Sequence, residues 1–129
     1  RQRVGGVNED IARAMPISDF FNLLAVKLDP AKAKSVSCVI NFELTDSDEK
    51  IIVTVDNQVE NHKINAWDNQ ADLSVSLTRL TLNDIAYGHS SMDDAIESGA
   101  VSMTGSVDMF KTYLDIHDTF DLWFNVIEP

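Results

Sequence analysis

Val36-Ser37-Cys38-Val39-Ile40-Asn41-Phe42-Glu43-Leu44 decides the fold. Apolar residues occupy every even position and mostly polar ones stand between, the period-two pattern of a strand with one buried face. Thr45-Asp46-Ser47-Asp48-Glu49 breaks the run with turn formers, and Lys50 to Asp56 resumes it with Ile51, Val53 and Val55 on one side. Asp56-Asn57 reads as a tight turn, since both residues tolerate the left-handed conformation. Val59 to Ala66 returns with a weaker alternation, and Ala71 to Thr78 closes with Leu73, Val75 and Leu77 in register. Four short runs with polar connectors predict an antiparallel meander. Its apolar face must be covered.

The flanks supply the cover. Ile17, Phe20 or Phe21, Leu24 and Leu28 recur at helical spacing behind Pro16, and Asp29-Pro30 ends that helix and caps a short turn through Ala33. Downstream, Thr81-Leu82-Asn83-Asp84 has the spacing of a capping box, which predicts a helix to Tyr87 with Gly88 as its stop. Ser91 to Asp94 repeats that signature, with Gly99 as the next stop. Ala100 to Thr104 is a candidate fifth strand. Ser106 is placed to cap a helix to about Asp118, carrying Met109, Phe110, Tyr113, Leu114 and Ile116. The aromatic tail Phe120 to Ile127 is expected to pack, whereas residues 1–14 read as a linker or the tail of a preceding domain. The predicted class is α+β: an antiparallel sheet of about five strands covered by helices.

With 129 residues this is one domain, enough to bury roughly two-thirds of its unfolded surface. Ten basic against twenty-one acidic residues give a net charge of −11. Nucleic acid and anionic membrane surfaces are poor partners for that charge. No apolar run is long enough for a membrane span, and no signal-peptide pattern is present. One cysteine, Cys38, excludes an internal disulfide and leaves the compartment open. A start at Arg1-Gln2-Arg3 without Met suggests a processed or excised chain.

Catalytic features fail on spacing. His62, His89 and His117 are far apart and read as three scattered surface histidines. Asp46-x-Asp48-x-Lys50 begins like a calcium loop, but a cation takes the fifth position and no glycine follows. Asp115, Asp118 and Asp121 mark a solvated helix face around His117. Gly99 to Gly105 lacks phosphate-loop residues, Cys38 has no adjacent base, and no serine is framed as a nucleophile. No catalytic residue, metal ligand or cofactor is expected. The apolar surplus is more informative. Phe20 and Leu24 from the first helix, Phe42 and Met103 from the sheet, and Phe110 and Tyr113 from the last long helix are candidates to enclose a long, flexible apolar ligand. The alternative is that they simply fill a core.

Pro16-Ile17-Ser18-Asp19-Phe20-Phe21 followed by Leu24 to Ala33 resembles the start of the C-terminal domain of bacterial alkyl sulfatases. Ile40-Asn41-Phe42 with Leu44-Thr45-Asp46 is similar to that domain's first-strand signature. Ala71-Asp72-Leu73 through Thr78-Arg79, Gly99 to Gly105, and Phe120-Asp121 with Phe124 to Pro129 follow in matching order, so the resemblance covers about residues 15–129. Glu128 departs from the family's usual Thr. The resemblance implies a sterol-carrier-protein-like fold appended to a zinc-dependent, metallo-β-lactamase-like catalytic domain, where it helps to capture an alkyl chain. That domain's His-x-His-x-Asp-His zinc motif is absent from this chain, so zinc is expected only in the catalytic partner. The implied function is a non-catalytic accessory domain for a long-chain alkyl or lipid ligand. A stand-alone lipid or sterol carrier, and a structural docking module without a ligand, are the alternatives.

Overall fold

A computed structural model describes residues 15–86 and 90–117. Helix α1 (Ile17–Lys27) leads through a 3-10 turn (Lys32–Ser35) into β1 (Cys38–Leu44), β2 (Glu49–Asp56) and β3 (Val59–Ile64). Strand β4 (Leu73–Leu77), α2 (Arg79–Ala86), α3 (Met92–Glu97), β5 (Ser102–Gly105) and α4 (Val107–Asp115) follow. One five-stranded sheet results, in the order β3-β2-β1-β4-β5. Cys38, Ile40, Phe42 and Leu44 share one face of β1 with Ile51, Val53 and Val55 of β2 and Leu73, Val75 and Leu77 of β4, and all are buried. The alternation read from β1 therefore sets the core.

One pairing differs from the predicted meander: β4 lies beside β1 in parallel, with Phe42 opposite Val75, and not beside β3. The chain crosses from β3 to β4 through residues 65–72, and Asn41 holds the crossing. Its Oδ1 accepts the Asp68 N–H at 3.0 Å, and its Nδ2 donates to the Asp68 carbonyl at 2.7 Å and the Ser74 hydroxyl at 3.1 Å. A buried amide that satisfies both its own polar atoms and a loop's backbone is how a connector can lie against a sheet. Lys50 adds its ammonium 5.5 Å from the Trp67 ring centroid, also on this outer side.

Local chemistry accounts for the remaining boundaries. The β2–β3 turn is centred on Asn57 and Gln58, both with positive φ (54° and 65°), one residue later than Asp56-Asn57. A two-residue turn with both centres left-handed matches the twist of the strands it joins. Asp29 Oδ1 caps the 3-10 turn by accepting the Ala31 N–H at 2.9 Å. Helix α2 begins earlier than the Thr81 box implies, because Thr78 is the residue whose hydroxyl accepts the Thr81 N–H (3.1 Å). Asp46 accepts the Arg79 N–H at 3.1 Å, so this carboxylate serves the N-terminus of α2. Ser91 and Ser106 cap α3 and α4 as read, accepting from Asp94 N–H at 3.1 Å and Met109 N–H at 3.3 Å. Helix α4 ends at Asp115, short of Asp118, where Ile116 and His117 turn back to β-bridge Leu28. Gly105 has φ +120°, and a Cβ there would lie 2.8 Å from the Asp72 carbonyl; only glycine lets β5 approach β4 so closely. The predicted stop at Gly88, the aromatic tail and the 1–14 linker lie outside the described residues.

Candidate functional site

Aromatic rings fill the space between α1, the sheet and α4. Phe20 meets Phe21 edge-on at 5.3 Å, Phe21 meets Phe42 at 5.3 Å, and Phe42 meets Phe110 at 6.1 Å and Tyr113 at 6.0 Å. Of the six predicted pocket residues, Phe20, Leu24, Phe42, Phe110 and Tyr113 are buried in this one layer. Met103 lies on β5 opposite Val75 and is partly buried against the same cluster. At the Phe20 end, the Arg79 guanidinium sits 5.2 Å from the ring and donates to the Met15 carbonyl (2.7 Å) and Asn83 Oδ1 (3.0 Å). Asn83 Nδ2 is left buried without an acceptor among the described residues.

The opposite end of the layer is polar. The β2–β3 turn sets Glu60 opposite Val55 and His62 opposite Val53, so the covered side of this edge strand carries Glu60 and His62. Tyr113 Oη donates to Glu60 Oε2 at 2.7 Å, and His117 Nε2 lies 2.5 Å from Glu60 Oε1. His117 Nδ1 lies 2.7 Å from the Tyr113 carbonyl, which only accepts, so Nδ1 carries a proton. Burial, reinforced by the Glu60 charge, pushes the Tyr113 hydroxyl well above its usual range and keeps it a donor. The nearby Cys38 thiol is pushed up to about 11, first by burial and then by Asp72 and Glu60. It stays a protonated core residue, inert as a nucleophile.

His117 thus corrects the expectation of three surface histidines: its side chain is 3% exposed. The signal was its spacing. His117 follows Phe110 and Tyr113 by seven and four residues, so it continues the spacing of the buried face of α4 just beyond the end of that helix. His62 is half-buried, with Nε2 3.0 Å from the Ser18 hydroxyl and its ring 5.8 Å from Phe21, while His89 lies outside the described residues. Asp115 is exposed, as read; Asp118 and Asp121 lie outside the described residues. Among the described residues no three His, Cys, Asp or Glu side chains converge as metal ligands. A hydrogen-bonded carboxylate–imidazole–phenol cluster in an apolar layer can orient groups or hold a wall in place. Next to it a groove of about 340 Å³ opens to solvent, lined by Ala25, Val26, Leu28, Pro30, Gln58, Val59 and Glu60.

Residues 6–129 match the family described as alkyl sulfatase C-terminal. The chain belongs to that family. The linear primary-alkylsulfatase of Pseudomonas sp. is 31% identical over 120 residues, 93% of this chain and 18% of that protein. The alkyl sulfatase C-terminal domain therefore spans less than a fifth of the curated relative it matches. The structure of the stereoselective inverting sec-alkylsulfatase Pisa1 from Pseudomonas sp. superposes with a TM-score of 0.82 at 30% identity, covering 85% of this chain and 17% of that one. Palmitated SCP2L2 from Aedes aegypti, a sterol carrier protein 2 relative, matches with a TM-score of 0.60 at 18% identity, over 81% of this chain and 97% of its own. This alkyl sulfatase C-terminal domain thus has the sterol-carrier-protein-like α+β fold. No helix among its described residues is long and apolar enough to cross a membrane.

Proposed function

We propose that this chain is the non-catalytic, tail-holding accessory domain of an alkyl sulfatase. Its apolar layer, with Phe20, Leu24, Phe42, Met103, Phe110 and Tyr113, takes the alkyl chain of the ester while a metallo-β-lactamase-like, zinc-dependent partner domain carries the chemistry. The observation that supports this best is the family match together with that layer: five of the six residues come from α1, the central strand and α4 and lie buried in one apolar cluster. A soft lining of aromatic and thioether groups accommodates a flexible chain without fixing its orientation. The residues that do carry ionisable groups there, Glu60, Tyr113 and His117, satisfy one another and present no nucleophile–base pair to a substrate. The chain should accordingly bind dodecyl sulfate without cleaving it. Incubated with the ester below its micelle concentration and with added zinc, it should show a one-to-one complex at the intact ester's mass in native mass spectra, with no dodecanol formed. Dodecanol release would contradict the non-catalytic assignment, and absence of any complex would contradict the binding.

A further inference from the structure

We propose that the groove between the C-terminal end of α1 and the β2–β3 turn is the portal by which a single-chain amphiphile reaches the aromatic layer, with Glu60, Tyr113 and His117 as its gate. This rests on the tail-holding reading above and specifies how that site is reached. The groove's volume of about 340 Å³ is at the low end of ligand pockets, which run roughly 300–1,000 Å³, and suits part of one chain. Its flanks are apolar where solvent would favour polar residues: Val26 is 78% and Val59 52% exposed. Across the mouth, Gln58 Nε2 donates to the Pro30 carbonyl at 2.8 Å and ties the two sides together.

Glu60 is the residue shared by groove and layer. It lines the groove, yet its side chain is 1% exposed because the carboxylate turns inward onto Tyr113 and His117. Tyr113 in turn stacks on Phe110 and faces Phe42. A chain moving from groove to layer must therefore part the carboxylate from its two partners, which would make passage slow compared with contact at the groove itself. The residues that line the groove include no base to clamp an anionic head, and the acidic one is buried.

Stopped-flow fluorescence with dansyl dodecylamide, an uncharged single-chain probe, separates a portal from a binding seat. In the Val26→Glu/Val59→Glu variant, altered only at exposed positions, association and dissociation rates should both fall at least tenfold while Kd stays within about threefold. Glu60→Gln, which keeps the shape and weakens the hydrogen bonds, should speed both rates severalfold. Unchanged rates in the valine variant would overturn the portal, as would a tenfold loss of affinity through faster dissociation, which would make the groove the seat itself. A wild-type chain that gives no signal with the probe would reject the tail-holding reading directly, a failure visible before any variant is compared.

Discussion

Phe42→Ala should lower the stability of this domain by about 3–5 kcal/mol, the range for removing a large ring from a filled core. Phe42 stands on the central strand, fully buried, with Ile51 on one side and Val75 on the other. Its ring touches Phe21, Phe110 and Tyr113, so truncation would open a void bordered by α1 and α4 at once. Neighbours held from opposite sides of the sheet–helix layer cannot all collapse into it. Chemical denaturation of wild type and variant measures the difference. A change within about 0.5 kcal/mol, the size of an ordinary surface substitution, would contradict the register of β1.

His117→Ala should cost a comparable amount, about 3–5 kcal/mol, for a different reason. The substitution leaves the Glu60 carboxylate buried with only the Tyr113 hydroxyl as partner, and it removes the Nδ1 bond to the Tyr113 carbonyl at the end of α4. Replacing both members by apolar residues of similar volume, Glu60→Met with His117→Leu, removes the unpaired charge together with its partner. Denaturant melts of the double variant should therefore recover most of the loss. Additive losses in the double variant would show that the two side chains are not the coupled pair the geometry describes.

The sheet was legible because its strands alternate cleanly. Every even residue from Cys38 to Leu44 is buried, and strict period-two patterning leaves one choice of covered face. Caps at Ser91 and Ser106 were legible for an equally local reason, since a hydroxyl and an N–H three residues on are close in sequence. Which strand neighbours β1 was not. Leu73, Val75 and Leu77 suit either edge, and the deciding contact is Asn41 gripping the backbone of Asp68 twenty-seven residues away. The polar cluster escaped for a related reason. Glu60 looks like an ordinary outward residue of an edge strand until the turn is placed on Asn57-Gln58, which sets it opposite Val55 and under the end of α4. Inward-facing Glu60 and His62 also blunt this edge against pairing with another sheet. Of the six pocket candidates five are buried, and Met103, on the short edge strand β5, is partly buried.

The central claim is that this domain recognises an apolar chain, and isothermal calorimetry with eight-, ten- and twelve-carbon alcohols and sulfates, below their micelle concentrations, tests it most directly. Burial of each methylene contributes roughly 0.8 kcal/mol, so two added carbons should tighten binding about tenfold, toward micromolar affinity once ordering costs are met. The net charge of −11 opposes an anionic head at low salt, so each alcohol should bind at least as tightly as the sulfate of equal length. Affinity that ignores chain length, or that requires the sulfate, would contradict the account.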